Sequence, residues 1–370
     1  MLAVALGVLV AATAPELISV SLGGTAPSDP TGLKTRGAVL FVTRFTPEQG
    51  LGPLFNQNSC VGCHAVPNAG GTGPDGLGTA TRVGRLSATG FDPMTDRGGP
   101  VARAHSVAED GLPCDLTAGI PAGANVTSVR NASDLHGTGL IDAIPDEEIA
   151  AGAVPKGDGV RGRVHWVRDA DGRERVGRFG WKADTVTLRQ FVANAFRNEL
   201  GITSPLAPAD LTPAGPPGRR RCPGEGAGVE DDGSTVEAVT AFLAALPPPA
   251  PRASFKRGEA LFGTVGCAAC HTPSLADGRR RVPLYSDLLL HDLGPDLDDK
   301  VVQGRAGGRD WRTAPLWGVG ARPRLLHDGR AHTVEQAILV HGGEAAAARQ
   351  RFRSLSQQER EALLTFLAGL

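Results

Sequence analysis

Sulfur and phenol are scarce in this chain of 370 residues, which has 2 Met, 1 Tyr and 6 Cys. Met1 is the initiator, so Met94 is the one internal thioether and Tyr285 the one phenol. Neither sign of charge is in excess: 38 basic and 39 acidic residues leave a net charge of -1. That balance gives no electrostatic case for a nucleic-acid or anionic-membrane partner. Beyond the first residues no stretch approaches the ~20 apolar residues needed to cross a bilayer, so the mature chain is expected to lack a span. Low-complexity segments are absent as well. Glycine and proline are plentiful, at 50 and 28 residues, which predicts long ordered loops wrapped around cofactors and less regular structure than usual. The length suits two or three domains of ~150 residues each.

Four of the six cysteines fall in two copies of one pattern. Cys60-Val61-Gly62-Cys63-His64 and Cys267-Ala268-Ala269-Cys270-His271 both read C-x-x-C-H, 207 residues apart from first cysteine to first cysteine. This is the c-type haem attachment pattern: two thiols add to the vinyl groups on the porphyrin, and the next histidine ligates iron. A redox dithiol or a four-cysteine zinc centre uses the same cysteine spacing, but leaves both following histidines unexplained. The pattern therefore implies two covalently bound c-type haems, with Cys60, Cys63, Cys267 and Cys270 as attachment points and His64 and His271 as iron ligands.

Haem attachment of this type implies export, so the chain is expected to be periplasmic or otherwise exported. Leu2 to Ala14 is an apolar run ending in Ala12-Thr13-Ala14, similar to a signal-peptide core with an A-x-A cleavage site. It lacks a basic leader and is followed by Pro15, so a retained anchor or a chance apolar start stays open. Residues 1–25 are read as the export segment. The spare cysteines, Cys114 and Cys222, are either a disulfide, as an oxidising compartment allows, or two unpaired thiols.

Each motif is introduced by the same segment. Arg36-Gly37-Ala38-Val39-Leu40-Phe41 and Arg257-Gly258-Glu259-Ala260-Leu261-Phe262 share Arg-Gly-x-x-Leu-Phe and read as one helix start used twice. A looser echo joins Arg130–Gly139 to Arg312–Gly320. Helical periodicity recurs at Thr235–Leu246, stopped by Pro247-Pro248-Pro249, and at Leu355–Leu370. The expected fold is mainly α and loop-rich, with two cytochrome c-like haem domains in tandem, at 26–249 and 250–370. The first carries an insertion over roughly 68–180. Within it, Val164–Arg168 and Arg175–Phe179 alternate around Asp171-Gly172, predicting a small β-hairpin.

The second axial position of each iron decides between electron transfer and chemistry. One internal methionine means at most one haem takes a thioether. Seven histidines remain: His105, His136, His165, His291, His327, His332 and His341. Each alone can equally be a surface or hydrogen-bonding histidine.

His327-Asp328-Gly329-Arg330-Ala331-His332-Thr333-Val334-Glu335-Gln336-Ala337-Ile338 resembles the signature of bacterial di-haem cytochrome c peroxidases and of MauG, the tryptophylquinone-maturing enzyme. With both haem motifs, Phe179-Gly180-Trp181-Lys182-Ala183 and Asn198–Thr203, the chain is most similar to the di-haem oxidoreductase branch, described as peroxidases or thiol oxidoreductases. The likeness runs from about residue 30 to 370. It implies several roles. His341 stands where relatives carry the distal methionine or tyrosine of the C-terminal haem, so that haem would be bis-histidine. Two imidazoles give a lower potential than His/Met. His341 as a helix-end cap beside Gly342-Gly343 is the other reading. Trp181, Gln190 and Glu199 match in order a tryptophan between the haems, a glutamine that positions peroxide, and a distal glutamate that moves its proton. The same segment also has the pattern of one buried helix face. Arg324 and Arg330 are candidate propionate partners, and His291 and His327 candidate loop or propionate holders. Relatives bind calcium just before the signature; Arg322 and Arg324 stand there, so calcium is not carried over.

The resemblance implies a di-haem peroxidase-type oxidoreductase: electrons from a small donor protein, of cytochrome c or cupredoxin type, enter at the C-terminal haem and reduce hydrogen peroxide at the N-terminal one. MauG-like oxidation of a protein substrate is a variant. A non-catalytic di-haem electron carrier is the rival, and a strong ligand such as His136 or Met94 at the first haem would favour it.

Overall fold

The computed structural model describes residues 29–370, except 75, 76, 170, 216, 227, 253 and 254. The expected export segment, with Leu2–Ala14, lies outside the described residues. Among the described residues nine α-helices follow in chain order: α1 (Leu33–Val42), α2 (Thr138–Asp142), α3 (Asp146–Ala151), α4 (Leu188–Ala195), α5 (Ser234–Ala245), α6 (Lys256–Val265), α7 (Val334–Val340), α8 (Ala346–Arg353) and α9 (Gln357–Ala368). None of the described helices is long and apolar enough to cross a membrane.

The two Arg-Gly-x-x-Leu-Phe segments form the same object. Each glycine lets a short helix cross another at backbone contact. A Cβ on Gly37 of α1 would lie 1.9 Å from the Ala238 carbonyl oxygen and 2.8 Å from Phe242 Cβ in α5. One on Gly258 of α6 would lie 2.3 Å from the Ala362 oxygen and 2.4 Å from Phe366 Cβ in α9. Ala238 and Phe242 thus hold the places in α5 that Ala362 and Phe366 hold in α9. Next to each crossing the motif phenylalanine, Phe41 or Phe262, is buried and packs on the partner helix's Phe242 or Phe366 at 5.3 and 5.6 Å between ring centres.

The looser echo is physical too. Gly137 and Gly318 both adopt positive φ, 75° and 68°, which glycine permits without a Cβ clash. Two residues on, a Cβ on Gly139 would meet the Ala244 oxygen at 2.2 Å, and one on Gly320 the Ala368 oxygen at 2.6 Å. Both loops are therefore clamped onto the last turn of the corresponding long helix.

Strand content exceeds the expected single hairpin. That hairpin is present, Trp166–Arg168 pairing antiparallel with Glu174–Val176. The insertion also builds a four-stranded antiparallel sheet in which Thr79–Ser87 pairs with Gly90–Asp92, Val101–Ala102 and Val126–Asn131. Along Thr79–Ser87 only Val83 and Gly84 are buried, so the apolar alternation that announces a strand is missing from the sequence. The last residue of the sheet, Asn131, receives its position from the far end of the chain: its N–H donates to the His327 carbonyl at 2.7 Å.

The apolar core does not divide at the proline run. One cluster joins Phe41, Phe196 and Phe242 to Leu284, Leu288, Leu289 and Trp317, while Phe262, Phe352, Leu363 and Phe366 form a second. Cys114 and Cys222 form a disulfide, which fixes the loop before α5 to the insertion.

Candidate active site

Two cavities open beside the two motifs. The first, of about 700 Å³, is lined by Cys60, Cys63, His64, Trp181 and Glu199. The second, of about 250 Å³, is lined by Cys267, Cys270, His271, His341 and again Trp181. The four motif thiols are unpaired and partly buried. A 3₁₀ turn, Cys60–Gly62 or Cys267–Ala269, carries each pair.

The histidines are oriented alike. His64 Nδ1 donates to the Gly71 carbonyl at 2.9 Å, and His271 Nδ1 to the Tyr285 carbonyl at 3.0 Å. A third imidazole follows the same rule: His341, the residue that ends α7, donates from Nδ1 to the Ala337 carbonyl at 2.6 Å. With Nδ1–H committed to a carbonyl, the ring lone pair resides on Nε2, the arrangement metal-bound histidines use. Burial holds all three below the usual imidazole range; His271, with His341 close by, is pushed down to about 4. All three are therefore neutral ligand-type imidazoles at pH 7. Capping and ligation are compatible in His341, because the cap uses one nitrogen only.

Glu199 lies in a π-turn, Phe196–Leu200, that follows α4 and closes on Gly201. The wide turn shifts the chain by one residue and brings Asn198 and Glu199 to the first cavity. Asn56 Nδ2 donates to Glu199 Oε2 at 2.7 Å, and the Asn56 amide is itself oriented by the Ala104 N–H on its Oδ1 at 2.8 Å. Oε1 carries no hydrogen bond from the described residues. Trp181 walls both cavities, its Nε1 donating to the Asn131 carbonyl at 2.9 Å.

Two expected site residues stand elsewhere. Gln190 is absent from the cavity wall; its amide donates to the Leu206 carbonyl at 3.0 Å and to Asn194 Oδ1 at 3.1 Å. Asn194, one turn further along α4, lines the cavity instead. Arg330 lies at the surface, paired with Asp328 and donating to the Asp296 carbonyl at 3.1 Å, and lines neither cavity. Arg324 does line the second cavity. Neither candidate ligand of the rival carrier reaches the first cavity wall. Met94 is buried outside both cavities, and His136 lines the second, its Nδ1 hydrogen-bonded to Asp134 at 2.6 Å. His165 and His291 spend both ring nitrogens on protein partners.

Other residues are brought to the cavities unannounced. Arg130 lines the first and Arg312 the second. Burial lowers the Arg312 guanidinium to about 10; it donates to the carbonyls of Gly180 at 2.9 Å and Thr313 at 3.3 Å and has no carboxylate in salt-bridge contact. A buried guanidinium facing a cavity without a carboxylate suits a propionate. The signal was in the sequence, because these two arginines open the paired segments Arg130–Gly139 and Arg312–Gly320. Calcium does not fit at the positions the resemblance assigns to it: the Arg322 guanidinium already takes the carbonyls of Pro315 at 3.1 Å and Trp317 at 2.6 Å.

The thiols and oriented imidazoles fit haem at each cavity, and at the second the buried Arg312 guanidinium suits a propionate. No curated protein matches the chain. Among solved structures it is similar to the diheme peroxidase BthA from Burkholderia thailandensis E264, at 18% identity over 94% of this chain and 87% of that one, with a TM-score of 0.44. It is similar to a MauG-like protein associated with microbial copper homeostasis, at 17% identity over 93% and 90%, TM-score 0.42. Hydrazine synthase of Kuenenia stuttgartiensis matches at 16% identity over 97% and 100%, TM-score 0.40. The family model described as "Di-haem oxidoreductase, putative peroxidase" matches residues 123–370. That is about two thirds of the sequence, and the chain belongs to the di-haem oxidoreductase family.

Proposed function

We propose that the protein is an exported oxidoreductase with two covalently attached c-type haems, which reduces hydrogen peroxide at the N-terminal haem using electrons relayed through the C-terminal one. The observation that carries this reading is the asymmetry of the cavities. The second offers two neutral imidazoles, His271 and His341, for one iron. The first offers one, His64, together with a carboxylate, Glu199; the other imidazole in its wall, His165, has both ring nitrogens engaged by the Lys182 carbonyl and the Arg305 N–H, and no thioether lines it. Cys60 and Cys63 would tether one haem, Cys267 and Cys270 the other, and Arg312 would meet a propionate. When bound, haem supplies an iron that exchanges electrons and, where a position is open, takes peroxide.

The chain's own part is positioning and proton traffic. Asn56 fixes Glu199 through Oε2, leaving Oε1 to take a proton from one peroxide oxygen and return it to the other, which departs as water. Asn194, not Gln190, is the α4 amide that lines the same cavity. Trp181, held by the Asn131 carbonyl, fills the wall between the haems and shortens the path for an electron. A small electron-donor protein would dock near the second cavity, and the disulfide accords with an oxidising compartment.

The test is Glu199→Gln, which keeps shape and removes the base. Peroxide turnover should fall about 10²–10⁴-fold, the usual contribution of a general acid–base, with both haems retained on a gel stained for covalent haem. Unchanged turnover would remove Glu199 from the mechanism.

A further inference from the structure

Lys182 belongs to the Phe179–Ala183 motif, yet nothing in the peroxidase reading uses it. Its side chain is fully buried. The ammonium donates to the carbonyl oxygens of Gly307 at 2.6 Å, Gly308 at 3.2 Å and Asp310 at 3.2 Å. It lies 3.3 Å from Asp299 Oδ1 and 3.9 Å from the centre of the Trp311 ring. Three backbone carbonyls and a carboxylate oxygen around one cation is an oxygen cage of the kind hard divalent ions take from proteins. Here the cation is tied to the backbone next to Trp181.

The cage is built for a permanent occupant. Asp299 pairs through its other oxygen with Arg130, whose guanidinium also faces the Trp311 ring at 4.7 Å. Trp311 Nε1 donates to the Leu297 carbonyl at 2.9 Å, and His327 stacks on the indole at 3.7 Å. A Cβ on Gly308 would lie 2.1 Å from Asp298 Oδ1, so the loop closes tightly over the ammonium. On the other side the backbone of the motif is held at every residue: Arg312 Nε takes the Gly180 carbonyl, the Arg312 N–H that of Trp181, and His165 Nδ1 that of Lys182. Burial pushes the Lys182 ammonium down to about 8, with Asp299 opposing and Arg130 reinforcing the shift, so the cation persists at neutral pH.

We propose that Lys182 is the resident cation of the wall between the two cavities, a positioning residue that gathers the 297–310 loop and Trp311 against Trp181 in place of a metal ion. Arg322 is a second side-chain cation that gathers backbone carbonyls, those of Pro315 and Trp317. The purpose of holding Trp181 rests on the di-haem reading; the cage does not.

The test uses the full haem-loaded protein. Elemental analysis should find iron but no stoichiometric calcium or magnesium, and a chelator should leave the melting midpoint unchanged. Lys182→Met, which keeps length and removes charge, should melt about 5 °C lower or more and slow electron transfer between the haems after photoreduction about tenfold. Lys182→Ala should lose both properties and regain them in propylammonium, which restores the missing atoms, but not in tetramethylammonium at equal ionic strength. If Lys182→Met does not accumulate, Lys182→Ala prepared in propylammonium and then dialysed gives the same readouts. A stoichiometric divalent ion whose removal lowers the midpoint would overturn the proposal. So would wild-type behaviour in Lys182→Met, or no recovery in propylammonium. Melting and metal content stand apart from peroxide turnover, so failure of the peroxidase reading would leave them intact.

Discussion

The two haem-motif regions share one scaffold and differ in what faces it. In each, a glycine brings two helices to backbone contact, a phenylalanine fills the crossing, a second loop is clamped to the last helical turn, and a histidine is aimed by a backbone carbonyl. The cavity of His271 is also lined by His341, at the end of α7. That of His64 is also lined by Glu199, on a π-turn and held by Asn56. On the proposed reading, the repeated parts would hold a cofactor and the unrepeated parts would set what that cofactor does.

The shared scaffold can be broken symmetrically. Gly37→Val and Gly258→Val both force a side chain into a carbonyl oxygen, and neither backbone can yield without parting the helices. Each should cost about 3 kcal/mol or more, the upper part of the range for overpacking, seen as a lower melting midpoint by circular dichroism. A large loss in one and none in the other would show that the two crossings are not equivalent.

The difference can be sharpened at the second cavity. His341→Met should keep that iron six-coordinate and raise its midpoint potential, since thioether favours the ferrous state. The first haem should keep its own potential. An unmoved pair of potentials in a redox titration would leave His341 as a helix cap and nothing more.

A smaller effect tests how the His341 turn is held. Glu344, three residues on, accepts from His291 Nδ1 at 2.7 Å, the Arg161 N–H at 2.8 Å and the Asp292 N–H at 3.1 Å. Burial opposes charge on His291, but its hydrogen bonds to Asp287, Cys270 and Glu344 carry it up to about 11. Asp287 and Glu344, despite burial, are held below the usual carboxylate range by the same imidazolium. A raised imidazole stabilises fully below its unfolded value of 6.5 and fades as pH climbs toward 11. Lowered carboxylates stabilise above their unfolded values of 3.8 and 4.5 and fade as pH falls below them. Glu344→Gln should therefore cost about 1–3 kcal/mol near pH 5.5–6.5, and the gap to wild type should close in acid. A gap independent of pH in denaturant titrations would contradict the ionic account.

Much of this comparison was legible in the sequence, for identifiable reasons. Attachment motifs, helix starts and the second echo are local patterns, and local patterns survive as short strings. Even the two cavity arginines were visible as the first letters of the echoed segments. Gln190 stands off the cavity wall because its amide is taken by the Leu206 carbonyl and Asn194, partners that order along the helix does not announce. Arg330 lies away from the cavities because Asp328, two residues back, pairs with it at the surface. The four-stranded sheet was missed because its longest strand, Thr79–Ser87, buries only Val83 and Gly84. The cage around Lys182 could not be read at all: its ligands are mostly backbone oxygens, which every sequence has.

The central claim is that one iron is closed and the other open. Electron paramagnetic resonance of the oxidised protein, recorded before and after peroxide, tests it most directly. The account predicts one low-spin haem and one high-spin haem, with peroxide changing the high-spin signal alone. Two low-spin signals indifferent to peroxide would contradict it and leave an electron carrier.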